Sequence, residues 1–169
     1  VGMSFDERRD ALTSINKVGL TEAGRRGTNV HLLCEGRLRG REPTLPKGAP
    51  GLQYRGAIDE FFDTYQPELV APELVTINRA LNGYGYGGTC DAAVTIDSKL
   101  YIVDWKSRGD DSQHGVYPEE SAQIGAYFGA DYMIVQGDHG PERRPMPVFA
   151  GGLIVSIKST GARVYPIDL

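Results

Sequence analysis

Two apolar runs, Ala92–Ile96 and Leu100–Val103, flank the polar stretch Asp97-Ser98-Lys99, and this pairing constrains the fold more than any other part of the chain. Apolar runs separated by a short polar turn read as a β-hairpin. The second run ends in Asp104-Trp105-Lys106. Side chains two apart in a strand share a face, so Asp104 and Lys106 project together while Val103 and Trp105 point the other way. The register decides where Asp91 goes. With Asp97 and Ser98 as the turn, Ile96 pairs with Lys99 and Asp91 lies opposite Asp104. With Ser98 and Lys99 in the turn, Asp91 faces Lys106, and in both cases the three polar groups share one side. A three-residue loop would set Asp91 opposite Trp105 on the wrong face, because a one-residue slip inverts every side chain. An even loop, or a compensating bulge, is the expectation.

The charged pair ends a run, Leu100-Tyr101-Ile102-Val103, of the kind buried in a central strand. An unpaired carboxylate there is costly unless a cation neutralises it. A metal ion would do this.

At 169 residues, 40% hydrophobic and 24% charged, the chain suits one globular domain with a real core. No run approaches the roughly 18 consecutive apolar residues of a membrane span, and charges appear within the first ten positions, unlike a secretory leader. A soluble, intracellular protein is expected, with no membrane partner. Val1-Gly2-Met3 reads as an expression scar ahead of Met3 or as the start of a trimmed fragment, which leaves room for an upstream domain. Cys34 and Cys90 are too few for a disulfide framework or a four-thiolate cluster and read as small buried side chains. The net charge of −4 divides unevenly: residues 1–50 carry +3 and residues 51–169 carry −7. Arg25, Arg26, Arg37, Arg39, Arg41 and Lys47 could therefore form a phosphate-tracking surface beside an acidic centre, or an ordinary solvated face.

Along the chain, an amphipathic helix is predicted from Ser4 to about Asn16, capped by Ser4 and Glu7 and ended by Gly19. A second helix begins near Thr21 or Thr28 and ends near Glu35 or Leu38, and a Gly/Pro/Arg-rich loop fills Gly36 to Gly51. Tyr54 to Tyr65 has helical spacing and is closed by Pro67. Glu68 to Ile77 is strand-like, with Pro72 demoting its first part to an edge or bulge. Ser107 to Pro118 reads as a mobile loop, Glu119 to Ala130 as a helix, and Tyr132–Gln136 and Gly152–Ile157 as strands. Gly137 to Pro147 reads as a turn-rich connection, and Arg163 to Pro166 as a short edge strand.

Gly83-x-Gly85-x-x-Gly88 matches a dinucleotide-binding pattern in letters, but it opens a strand rather than a helix, so the glycines are expected to permit tight packing. Gln123 and Tyr127 lie four apart on one helical face, equally compatible with a structural role. His31 alone reads as a capping or core histidine as readily as a metal ligand.

Taken in order, Gly27-Thr-x-x-His31-x-x-x-Glu35, Pro72-Glu73, Gly88-Thr-x-Asp91, Asp104-Trp-Lys106 and Gln123-x-x-x-Tyr127 resemble the RecB-like branch of the PD-(D/E)xK nucleases. The resemblance spans residues 26–127, and five motifs in the right order are far more specific than any one. It implies an α/β fold with a restriction-endonuclease-like core, a central mixed β-sheet flanked by helices, occupying 1–169 as a single nuclease domain. It implies Mg²⁺ or Mn²⁺ held by His31, Asp91 and Asp104, with the Trp105 carbonyl as a further donor. Lys106 would assist the attacking water, Gln123 and Tyr127 would border the site, and Glu73 corresponds less securely. Asp104 stands where many members carry glutamate, which shortens the ligand arm by one methylene. The four cysteines of iron–sulfur relatives and the helicase motifs are absent from the sequence.

The activity so implied is metal-dependent hydrolysis of DNA phosphodiester bonds, as an exonuclease of recombination, repair or phage DNA processing. Its substrate would be single- or double-stranded DNA ends, its setting the cytoplasm of a prokaryotic or phage-infected cell, with a recombination protein as a conceivable partner. Two other classes compete: a catalytically silent nuclease-fold protein for DNA binding or assembly, and a structural metal-binding domain.

Overall fold

Helix α1 (Phe5–Leu38) is continuous, where the sequence predicted a break at Gly19. One glycine in a helix interior costs only about 1 kcal/mol relative to alanine, and no proline follows to end the hydrogen-bond ladder. The computed structural model describes residues 5–79, 84–137 and 140–168, so the expected Ser4 cap and Gly83 lie outside the described residues. A 3-10 turn (Leu52–Tyr54) leads into α2 (Arg55–Tyr65). This helix ends two residues before Pro67, and Gln66 between them turns left-handed and returns its N–H to Phe62 O.

The strands are β1 (Glu68–Asn78), β2 (Tyr86–Ile96), β3 (Lys99–Ser107), β4 (Tyr132–Gly137), β5 (Gly140–Pro145), β6 (Gly151–Lys158) and β7 (Gly161–Ile167), with α3 (Pro118–Phe128) between β3 and β4. They form one seven-stranded sheet in the order β5-β4-β1-β2-β3-β6-β7. The β3–β6 pair is parallel and the other pairs are antiparallel, so the sheet is mixed. The parallel pair follows from the connection: a crossover through α3 and the β4–β5 hairpin returns the chain in the direction of β3.

Both faces of the sheet are covered. Val30, Leu33 and Cys34 of α1 and Ile58, Phe61 and Phe62 of α2 pack on Val94, Val103, Trp105, Val155 and Ile157. Trp105 is 2% exposed and lies edge-on to Phe61 at 5.4 Å between ring centroids. On the opposite face Ile124 and Tyr127 of α3 pack on Leu74, Cys90, Ala93, Ile102 and Ile154. The alternation read from the sequence is thus realised in β3, with Val103 and Trp105 under α1 and α2, and Ile102 under α3. Cys34 and Cys90 are free and buried, as their size suggests.

Two of the loop readings change, and the reading of Pro72 holds. Gly137 to Pro147 contains β5, paired with β4 along its length. Its Pro141, Pro145 and charged Glu142-Arg143-Arg144 hide the strand signal, yet they suit an outermost strand, which needs half its N–H groups only for solvent and resists further pairing. The loop expected to be mobile after Lys106 is tied down: Arg108 N–H donates to Ile157 O, Tyr54 O–H donates to Arg108 O at 2.7 Å, and Asp110 accepts from Ser159 N–H at 2.9 Å. Pro72 sits in the half of β1 that β4 does not reach, since β4 pairs only with Val75–Ile77, and a bulge falls between Leu69 and Ala71. Among the described residues no helix is long and apolar enough to cross a membrane.

Candidate active site

The β2–β3 hairpin closes on two residues. Ile96 pairs with Lys99, and Asp97 and Ser98 both take left-handed backbone (φ 49° and 62°), the conformation of a type I′ turn whose twist matches that of the strands. The ladder runs to Ala92↔Val103, and one further step in the same register sets Asp91 across from Asp104. Beyond that last pair the Trp105 N–H donates to Asp91 Oδ2 at 2.7 Å. The strands diverge there, and a side chain takes the place of a ladder carbonyl.

His31 of α1 reaches into this gap. Its Nδ1 lies 3.2 Å from Asp91 Oδ1 and its Nε2 lies 2.9 Å from the Trp105 carbonyl oxygen. Burial lowers the His31 pKa, but the hydrogen bond and charge of Asp91, the Trp105 carbonyl and the Asp104 charge outweigh it, and the net shift is upward. A narrow cleft of about 40 Å³ is lined by His31, Glu35, Leu38, Glu73, Asp91 and Trp105. Glu73 is exposed and carries φ 43°, an unusual backbone for a non-glycine residue within a strand.

On the α3 side, Asp104 is 3% exposed and Lys106 Nζ lies 2.5 Å from its Oδ2. Burial and the neighbouring Asp91 carboxylate push the Asp104 pKa up, against the pull of Lys106 and His31. Lys106 also donates to Gln123 Oε1 at 3.3 Å, Gln123 Nε2 donates to Tyr127 Oη at 2.6 Å, and Tyr127 O–H donates to Thr89 O at 2.7 Å. This relay ties α3 to both β2 and β3. Burial, against the Gln123 hydrogen bond, pushes the Tyr127 hydroxyl up to about 12, so it stays a neutral donor.

The relay depends on Gly88. A Cβ there would meet Tyr127 Cε1 at 2.8 Å, so the strand approaches the ring only because the side chain is a hydrogen. Gly88→Ala is expected to cost about 1–3 kcal/mol, the usual penalty of overpacking, read as a lower urea midpoint with unchanged m-value.

Among the described residues no three His, Cys, Asp or Glu side chains already form a metal cage; His31, Asp91 and the Trp105 carbonyl are bonded to one another instead. The donor set nevertheless fits a hard divalent cation. Carboxylates, a carbonyl and one imidazole converge, and Asp104 Oδ2 is a buried oxygen that accepts no well-aligned hydrogen bond despite the nearby ammonium.

The expected basic residues lie apart from one another in their engagement. Arg37 pairs with Asp59 and Asp63, and Arg39 pairs with Glu35. Arg25, Arg41 and Lys47 are exposed, and Arg26 turns a buried, unpartnered Nε inward.

One functional feature had no counterpart in the sequence reading. Arg108, two residues beyond Lys106, makes a two-pronged ion pair with Glu120 (2.5 and 2.6 Å), and both side chains are nearly buried. Glu120 Oε2 also accepts the Tyr117 N–H at 3.0 Å, capping α3, and the guanidinium lies 5.0 Å over the Tyr117 ring. Glu119-Glu120 after Pro118 does signal a helix start; nothing local signals the partner just after β3.

No family model matches this chain, and no curated protein matches it. Among solved structures, one described as "Crystal structure of SSO0001" is similar at a TM-score of 0.40 and 18% identity, covering 88% of this chain and 66% of that one. The present chain therefore spans slightly less than two thirds of that neighbour. The chain is an α/β protein with a seven-stranded mixed sheet flanked by helices.

Proposed function

We propose that this chain is a divalent-metal-dependent deoxyribonuclease with a PD-(D/E)xK core, acting on DNA ends as an exonuclease. The observation that carries the reading is the meeting of Asp91, Asp104 and Lys106 where β2 and β3 part, with His31 on one flank and Gln123–Tyr127 on the other. Asp91, Asp104, His31 and the Trp105 carbonyl would hold Mg²⁺ or Mn²⁺. Such an ion supplies charge neutralisation at a phosphate and makes a water more acidic.

The chain's own groups do the rest. Lys106, held between Asp104 and Gln123, presents an ammonium that can orient a water by hydrogen bonding and stabilise negative charge growing on a phosphoryl oxygen. Gln123 fixes where that ammonium points. His31 locks Asp91 and the Trp105 carbonyl in one orientation, and so presets the strand end before any substrate arrives. Trp105, buried beneath α1 and α2, makes β3 rigid at that point. The same reading places the protein in the cytoplasm of a prokaryotic or phage-infected cell, beside recombination machinery.

The test is incubation with end-labelled linear and with circular DNA, single- and double-stranded, in Mg²⁺, Mn²⁺ or EDTA. Linear DNA is expected to be degraded with either metal, circular DNA to resist, and EDTA to stop the reaction. Intact linear DNA under every metal condition overturns the nuclease reading. Cleavage of circles replaces exonuclease by endonuclease.

A further inference from the structure

The sheet carries a polar row outward from Lys106. Lys106 pairs with Ser156 on β6, and Ser156 pairs with Arg163 on β7. Paired residues share a face, and the neighbours Val155, Ile157, Ala162 and Val164 all pack toward α1 and α2. Lys106, Ser156 and Arg163 therefore stand side by side on the α3 face. Strands lie about 4.8 Å apart, so the Arg163 backbone is about 10 Å from that of Lys106.

This row opens into a cavity of about 470 Å³, bounded by Ser156, Lys158, Arg163 and Tyr165 on the β6–β7 hairpin and by His114 on the anchored loop, with Glu60 of α2 as the one carboxylate among its described lining residues. Lys158 Nζ donates to the neutral carbonyls of Ser112 and Asp110. The Asp110 carboxylate is itself taken by the Ser159 N–H and hydroxyl. Arg163 is exposed and has no ion-pair partner among the described residues, unlike Arg37, Arg39 and Arg144, which are matched to acids. A cation left unmatched at the mouth of a polar cavity, two strands along the row from the candidate catalytic lysine, is suited to an anion that comes with the substrate.

We propose that this β6–β7 cavity is a subsite for a backbone phosphate of the nucleic-acid strand, adjacent to the phosphate at Lys106, with Arg163 as its principal contact. The proposal rests on the nuclease reading above. The lining offers Lys158 and Arg163 as cations with the hydroxyls of Ser156 and Tyr165, groups that contact phosphate oxygens and carry no base-sequence information.

The experiment is an anisotropy titration of a fluorescein-labelled single-stranded oligonucleotide in EDTA across a salt series, using the full chain. Wild type is compared with Arg163→Gln, Arg163→Lys and the charge-matched control Arg144→Gln on β5. Arg163→Gln is expected to bind about fivefold more weakly. Its slope of log K against log salt should be shallower by about 0.7, the loss of one phosphate contact on a single strand. Arg163→Lys should recover most of both, and Arg144→Gln should show the wild-type slope. With Mn²⁺ present, KM for Arg163→Gln should rise by more than kcat falls. If wild type cleaves DNA but Arg163→Gln keeps its slope and KM, the subsite is wrong and the nuclease reading stands. If wild type neither binds nor cleaves DNA, both fall together.

Discussion

Asp104→Asn is expected to abolish DNA cleavage, by at least about a thousandfold or 4 kcal/mol of transition-state stabilisation, while the protein stays folded. The substitution keeps the shape of a side chain that is 3% exposed and removes only its charge. Two consequences for stability oppose each other. Burial and Asp91 already disfavour the Asp104 carboxylate, so its loss relieves a repulsion, while Lys106 loses its ion-pair partner and keeps only Gln123. The net upward shift of the Asp104 pKa means the first outweighs the second, so the melting temperature measured in EDTA should not fall more than a few degrees below wild type. Activity at the wild-type rate would remove Asp104 from the site; a large fall in melting temperature would show that its role is structural. Lys106→Ala should likewise abolish cleavage, because it removes the ammonium held between Asp104 and Gln123.

That site was legible because the hairpin obeys a rule of two. Once Asp97-Ser98 forms a two-residue turn, every later pairing follows, and Asp91 must come beside Asp104. The two-residue period of β3 separately sets Asp104 and Lys106 on one face. Elements failed where the sequence signal is weak in energy or long in range. Gly19 looked like a stop, but one glycine is too small a penalty to interrupt a helix of this length. β5 looked like a turn because the residues that protect an edge strand are the residues that make turns. The anchoring of the loop after β3 was invisible, since Tyr54, Ile157 and Ser159 are each about fifty residues from their partners. The basic residues of α1 were legible as charges but not as ion pairs, because Asp59 and Asp63 come from a separate helix. The His31 contacts belong to an intermediate class: spacing marked the residue, but only the approach of α1 to the end of β3 gives it Asp91 and the Trp105 carbonyl.

Glu120→Ala should be the most destabilising single change near the site, by about 3–5 kcal/mol. Arg108 and Glu120 side chains are 11% and 10% exposed, and the guanidinium Nε is already buried without a partner. Removing the carboxylate leaves a buried cation unpaired and frees the Tyr117 N–H at the start of α3. For a chain of this size each kcal/mol moves the melting temperature by about 2–4 °C, so a fall of roughly 10–15 °C is expected. Replacing both partners, as Arg108→Met with Glu120→Leu, should recover most of the loss, because two apolar side chains carry no desolvation penalty and fill the same space. If the single and double variants are equally unstable, the pair is not the source of the effect. The double variant then isolates a second property. It keeps the packing of α3 but lacks the directional link between the end of β3 and the helix that carries Gln123 and Tyr127, so Lys106 loses part of its orientation. A kcat well below wild type in a variant of restored stability would make the Arg108–Glu120 pair a positioning device for the lysine, whereas a wild-type kcat would confine it to holding the helix in place.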